Sequence, residues 1–354
     1  RRNETLSRIQ QSVGRISALM NPLTYVLINL AVILLIRTGA HQVDVGLLDQ
    51  GSVVALYNYM AQILVELIKL ANLIITISKS LACAKRIQGV LDLQPSLERT
   101  APAAAEPQAA KVEFRGVALR YHGAGADALT GISFRAAPGE TIGIIGGTGS
   151  GKSSLVGLIP HFYDATAGTV LVDGVDVKSQ DPEALRKKIG IVPQKAVLFQ
   201  GTIRENLLWG DPNADTAALR QALEVSQAAE IVAGKEGGLD APVEQGGKNF
   251  SGGQRQRLTI ARALTRRPEI LILDDSASAL DFATDARLRQ AIRSLSPRPT
   301  TFIVSQRTAS IRRADRILVL DDGALVGIGT HEELLRTCPV YQEIHNSQYA
   351  REEA

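Results

Sequence analysis

At 354 residues the chain is long enough for two folded units, and its 39 Lys and Arg against 36 Asp and Glu leave a net charge of only +3. That balance is too small to argue for a nucleic-acid partner recruited by charge, and Arg186-Lys187-Lys188 and Arg266-Arg267 read as solvated helix faces. Two cysteines, Cys83 and Cys338, far apart and without ligand spacing, support neither a disulfide framework nor a zinc site.

The chain opens on Arg1-Arg2 rather than Met and shows no secretory signal, so it reads as the C-terminal portion of a longer protein. Two apolar stretches follow. The first, Pro22 to Ile36 extended upstream by Ile16 to Met20, predicts a membrane helix over about 16–40, with Arg37 able to snorkel to an interface. The second, from Val53 past Ser78 without a breaker, predicts a helix over about 53–78 that continues beyond the hydrocarbon. The stretch between them, Thr38 to Gly51, has no Lys or Arg. Arg1, Arg2, Arg8 and Arg15 precede the pair and Lys79, Lys85 and Arg86 follow it, which puts both outer flanks in the cytoplasm.

Along the second helix Asn58, Gln62, Glu66, Lys69 and Asn72 recur at steps of four, four, three and three, hence on one face. Two readings fit equally: a polar stripe lining an aqueous path, or a pair, Glu66 and Lys69, that neutralise one another in a packed interface or sit beyond the membrane. These elements define a unit over 1–94. Pro95 to Ala110, with Pro102 and Pro107 among alanines, has no apolar periodicity and reads as a linker. A second unit spans 111–354.

In that unit, Val112-Glu113-Phe114 and the run to Tyr121 read as strand. Thr141 to Ile145 is a buried strand entering Gly146-Gly147-Thr148-Gly149-Ser150-Gly151-Lys152-Ser153, a full GxxxxGK[ST] phosphate loop, and Ser153 to Ile159 is the helix leaving it. Glycines let backbone N–H groups close on phosphates, Lys152 brings charge to them, and the Ser153 hydroxyl can ligate Mg²⁺. A glycine turn that merely caps a helix is the bland alternative, and the flanking strand and helix argue against it.

Asp173-Gly174 and Asp322-Gly323, each between β-branched runs, predict two hairpins. Ser251-Gly252-Gly253-Gln254 before a basic, apolar-periodic stretch predicts a helix start offering a hydroxyl and free N–H groups to an anion. Glu269 to Leu273 is a short apolar strand delivering Asp274-Asp275 at its C-terminal end, where a Mg²⁺ ligand belongs in a doubly wound domain. Thr330-His331-Glu332-Glu333 reads as a capping box, with His331 a neighbour of the cap rather than a catalyst.

The phosphate loop, Gln194 in Ile191-Val192-Pro193-Gln194, Ser251 to Gln254, Asp274, and Ser278-Ala279-Leu280-Asp281 stand in an order and spacing that resembles the ATP-binding cassette family over Lys111 to the C terminus. The resemblance implies an α/β P-loop NTPase preceded by two transmembrane helices, the last two of six in a multidrug or lipid exporter-type half-transporter. It implies ATP held by Gly146 through Ser154 and by Tyr121 stacked on adenine, and Mg²⁺ held by Ser153, Gln194 and Asp274. It also implies a cytoplasmic cassette on a multi-pass membrane protein exporting an unspecified substrate. Its working unit is a head-to-tail dimer of halves, in which Ser251, Gly252, Gly253 and Gln254 complete the partner's site and Asp281 lies in the connecting D-loop.

Two positions depart from the family pattern. Asp275 stands where a Glu polarises the attacking water, and Gln306, in Ile303-Val304-Ser305-Gln306-Arg307, where a His contacts the γ-phosphate. Losing one methylene withdraws the carboxylate by about 1 Å, which can cost roughly a hundredfold in rate. Gln can hydrogen-bond but carries no proton or positive charge. Phe250 in place of Leu and Gln245-Gly246-Gly247 are further departures. The expectation is a heterodimer whose degenerate site is built on Lys152 and Asp275; a homodimer would leave no fully equipped site. A homodimeric pump in which Asp275 suffices, and an ATP-gated regulatory or channel-like subunit, are the alternatives.

Overall fold

The computed structural model describes residues 2–93, 97, 100–101, 110–276 and 278–349. The chain divides into two compact units, Arg1–Gln94 and Pro95–Ala354. Most of the linker expected over 95–110 lies outside the described residues.

The first unit is a helical hairpin of α1 (Arg2–Asp44) and α2 (Gln50–Leu91). Both contain stretches long and apolar enough to cross a membrane, Pro22–Asp44 and Gln50–Leu91. The helices exceed the expected 16–40 and 53–78 at both ends, and the connection shrinks from Thr38–Gly51 to residues 45–49. Nothing between Thr38 and Asp44 breaks a helix, and Gly46, at φ 77°, provides the left-handed turn that a C-terminus favours. At 42 residues α2 is about 63 Å long, twice a hydrocarbon core. Near the turn the helices come close: a Cβ on Gly39 would meet Val53 Cγ1 at 2.7 Å. The face from Asn58 to Asn72 lies on α2, where Lys69 Nζ sits 2.7 Å from Glu66 Oε1.

The second unit begins with β1 (Val112–Leu119) and β2 (Leu129–Ala136), then β3 (Thr141–Gly146), α3 (Lys152–Leu158), β4 (Ala167–Val172), β5 (Val175–Asp176), α4 (Pro182–Lys187) and β6 (Ile189–Val192). A helical segment follows with β7 (Gly201–Thr202), α5 (Ile203–Leu208), α6 (Thr216–Val225), α7 (Ala229–Ala233) and β8 (Pro242–Val243). It leads into α8 (Gly252–Thr265), β9 (Ile270–Asp274), α9 (Phe282–Arg293), β10 (Thr300–Val304), α10 (Thr308–Ile311), β11 (Arg316–Asp321), β12 (Ala324–Gly329), α11 (His331–Thr337) and α12 (Pro339–Tyr349).

An antiparallel sheet, β2-β1-β4-β5, accompanies a six-stranded sheet ordered β12-β11-β3-β10-β9-β6, parallel except at β12. Its central strands are apolar on both faces because both are covered. Ile144, Ile272, Phe302 and Leu318 enter one core with β1, β2 and α3, while Ile145, Leu273, Ile303 and Val319 enter another with α5, α6 and α8. Both predicted hairpins form as two-residue turns: Asp173 and Gly174 have φ 53° and 73°, and Asp322 and Gly323 have 42° and 76°. The Thr330 capping box also forms. His331 is buried and its Nδ1 lies 2.7 Å from the Tyr341 hydroxyl, anchoring α12.

Candidate nucleotide-binding site

Parallel register brings four separate sequence features to one edge of the sheet. Val304 pairs with Ile144 and with Asp274, and Val192 pairs with Leu273, so the segments after β3, β9, β10 and β6 emerge side by side. That edge, beyond the strands' carboxyl ends, is where doubly wound sheets place ligands.

The loop after β3 has the conformation its glycines permit. Gly149 and Gly151 have φ 85° and 91°. A Cβ at 151 would sit 2.6 Å from the Ala128 carbonyl oxygen, and one at Gly146 2.1 Å from that of Leu320. Lys152, the first residue of α3, donates through Nζ to the carbonyls of Gly147 (2.6 Å) and Gly146 (3.0 Å). Burial lowers the Lys152 pKa from the usual lysine range, opposed by the nearby charges of Asp275 and Asp274.

The Ser153 hydroxyl donates to Asp274 Oδ1 at 3.0 Å. Burial raises the Asp274 pKa, the Ser153 hydrogen bond opposes this, and Asp275 adds to it. Among the described residues no three or more His, Cys, Asp or Glu cluster as a metal cage. The adjoining hydroxyl and carboxylate oxygens are instead the hard donors that Mg²⁺ takes together with substrate phosphates. Ser154 Oγ and Tyr121 OH lie 2.8 Å apart, and Tyr163 meets the Tyr121 ring edge-on at 5.1 Å. Tyr121, just over a third exposed, is thus fixed beside the phosphate loop.

Asp275 adopts φ 46°, a left-handed conformation that Asp tolerates better than longer side chains. Its backbone N–H donates to Val304 O at 3.0 Å, and its Oδ2 accepts from Gln194 Nε2 at 3.1 Å. Gln306 is exposed at the end of β10, and among the described residues its carboxamide makes no hydrogen bond.

Ser251 to Gln254 form the start of α8 as expected, but the serine hydroxyl and the Gln254 N–H are not both free. Ser251 Oγ accepts from Gln254 N at 3.3 Å and Gln254 Oε1 accepts from Ser251 N at 2.9 Å, a reciprocal capping box. The N–H groups of Gly252 and Gly253, at the first two helical positions, have no intrahelical acceptor. Among the described residues no hydrogen bond joins Ser251–Gln254 to the phosphate loop or to Asp274-Asp275 of the same chain. Asp281 caps α9, accepting from Thr284 N at 2.8 Å, and Ser278 Oγ donates to the Asp275 carbonyl at 2.8 Å. Sequence reading missed Gln348, whose side chain contacts the turn carrying Gln306; an unremarkable glutamine in a terminal helix gives no local signal.

A phosphate loop, a strand-end carboxylate bonded to its Ser153, a glutamine from the neighbouring strand and a separate Ser-Gly-Gly helix start together define an ATP-binding cassette on a P-loop NTPase fold. Residues 129–278 match the family model described as "ABC transporter", and the C-terminal unit is an ABC transporter ATP-binding domain. The chain is 42% identical over 351 residues to an ABC transporter ATP-binding protein of Mycobacterium tuberculosis H37Rv, covering 98% of this chain and 60% of that one. It is 38% identical over 336 residues to the ATP-dependent lipid A-core flippase of Burkholderia orbicola, covering 95% and 56%. A solved bacterial Atm1-family ABC exporter with ATP bound superposes with a TM-score of 0.81 at 32% identity, covering 95% of this chain and 59% of that one. The chain therefore spans roughly 60% of the length of the curated relatives it matches.

Proposed function

We propose that this chain is the ATP-binding part of an ABC exporter half, with a cytoplasmic cassette and two of its membrane helices, working with a second half in a head-to-tail dimer. Its own phosphate loop binds ATP, with Mg²⁺ held by Ser153, Asp274 and Gln194, and hydrolyses it slowly. The signature Ser251–Gln254 serves the partner's faster site, so the assembly is a heterodimer. Export across the membrane is the activity supported by the flippase and exporter relatives.

One observation carries the slow-site reading. The groups that bind nucleotide, Lys152, Ser153 and Asp274, are whole and converge, whereas the Asp275 carboxylate is one methylene short and engaged by Gln194 at 3.1 Å. A general base must reach the water it activates, and a misplacement of about 1 Å is costly. Lys152 and Asp274 are the residue types that a phosphate loop and a strand-end Mg²⁺ ligand call for.

The test is steady-state ATPase of the full-length subunit, alone and co-expressed with the half encoded beside it, each with and without Ser251→Ala. Activity that requires the second half and collapses with Ser251→Ala supports the asymmetric heterodimer. Vigorous activity from the subunit alone would make Asp275 an adequate catalytic carboxylate and end the slow-site reading.

A further inference from the structure

We infer that Gln348, near the end of α12, is a positioning residue that sets the γ-phosphate-facing turn at Gln306. This rests on the reading that Gln306 faces the terminal phosphate of ATP held by this chain's own phosphate loop.

The turn from Ser305 to Thr308 joins the end of β10 to the short helix α10. One side is fixed by β3 and by the turn itself, with Ser305 N donating to Ile144 O at 3.0 Å and Arg307 N donating to Ser305 Oγ at 2.9 Å. On its other side Ser310 N donates to Arg307 O at 3.2 Å, which leaves the Thr308 N–H and the Gln306 carbonyl to be met from outside the turn. Arg307 is the N-cap of α10 and contributes no side-chain acceptor, so the first N–H groups of that helix need a partner from elsewhere.

Gln348 supplies it from forty residues downstream. Its Oε1 accepts from Thr308 N at 2.9 Å and from Thr308 Oγ1 at 3.0 Å, while its Nε2 donates to the Gln306 carbonyl at 2.6 Å. One carboxamide thus bonds the backbone on both sides of Arg307, a task requiring a donor and an acceptor on one side chain. The Gln306 backbone is fixed while its own carboxamide stays free for a ligand. Gln348 is itself well placed, because α12 is pinned by fully buried Tyr341 and its contact with His331.

A side chain that orients a γ-phosphate sensor affects ATP and ADP differently, since ADP lacks the group sensed. Its loss therefore changes nucleotide preference, whereas general loosening of the domain weakens both nucleotides together.

The experiment is competition of ATP and of ADP against photoaffinity labelling of this subunit by 8-azido-ATP, in the full-length assembled transporter, for wild type, Gln348→Ala, Gln348→Glu, Gln306→Ala and Gln306→Ala/Gln348→Ala. Gln348→Ala is expected to reduce the ATP-over-ADP preference about fivefold, the scale of one or two net hydrogen bonds, with ADP competition unchanged. Gln348→Glu keeps the side-chain length and the Thr308 acceptor but loses the donor to Gln306, and should share the defect; it also serves if the alanine variant fails to assemble. The double variant should be no worse than Gln306→Ala alone. If Gln306→Ala reduces the preference and neither Gln348 variant does, the positioning role is wrong while the site reading stands. If Gln306→Ala changes nothing, Gln306 senses no phosphate, and the site reading and the positioning role both fall.

Discussion

Gln194 Nε2 donates to Asp275 Oδ2 at 3.1 Å, joining the segment after β6 to the end of β9. The family resemblance gives these two residues separate tasks, Mg²⁺ coordination and activation of water. Their direct contact draws the carboxylate toward Gln194, and a longer side chain would extend beyond that bond.

Asp275→Glu combined with Gln306→His is accordingly expected to raise turnover at this chain's phosphate loop by about tenfold or more. Glu tolerates the φ of 46° at residue 275 less well than Asp, so stability should fall by up to about 1 kcal/mol. Single-turnover hydrolysis in the assembled transporter, with a thermal melt of the same preparations, checks both. Unchanged hydrolysis would mean that another element limits this site.

Lys152→Ala should weaken ATP binding at this loop at least tenfold, by removing the only charged side chain of the loop. Gly151→Ala should be as damaging for a different reason. It adds left-handed strain at φ 91° and a Cβ 2.6 Å from the Ala128 carbonyl, lowering stability by about 2 kcal/mol. Photoaffinity labelling and a melting curve separate the two, since Lys152→Ala loses two hydrogen bonds to loop carbonyls but adds no backbone strain and should lower the melt less than Gly151→Ala.

Ser251→Ala removes half of the capping box at the start of α8, which should destabilise the domain by about 1 kcal/mol. Ser251→Thr retains an oxygen able to accept from Gln254 N and should melt near wild type. ATPase supported by threonine but not by alanine would assign the requirement to the hydroxyl oxygen that both Ser and Thr carry; activity with both would show that neither the cap nor the hydroxyl is needed.

Acid should loosen the anchor of α12. Burial lowers the pKa of His331, with Arg312 and His345 adding to the shift, and that of His345 is lowered by burial and by Arg312. A base whose pKa is lower folded than unfolded stays neutral in the native state while the unfolded chain takes up protons, so stability falls as pH drops below about 6.5. Melting midpoints of the full-length protein should fall between pH 7.5 and 5.5, and a His331→Gln/His345→Gln variant should show a shallower fall. An equal fall in the variant would place the acid sensitivity elsewhere.

The sequence by itself determined the chemistry and the order of parts. GxxxxGK[ST] after a buried strand specifies a phosphate loop because only glycine accepts φ near 90° at 149 and 151. The Asp-Gly pairs specify their hairpins for the same local reason, and twenty or more apolar residues specify a long helix whatever surrounds it. The departures at Asp275 and Gln306 were legible because their neighbours fix the register of comparison. Tertiary structure alone decided what depends on partners distant in sequence. The Gln194 to Asp275 bond spans 81 residues and the Gln348 clamp on Gln306 spans 42. Neither distance was set by local propensity or periodicity; both follow from parallel strand pairing and from α12 folding back onto the domain. In the first unit hydropathy marks where a helix is apolar, while hydrogen bonding carries it on past that span until a residue such as Gly46 turns the chain.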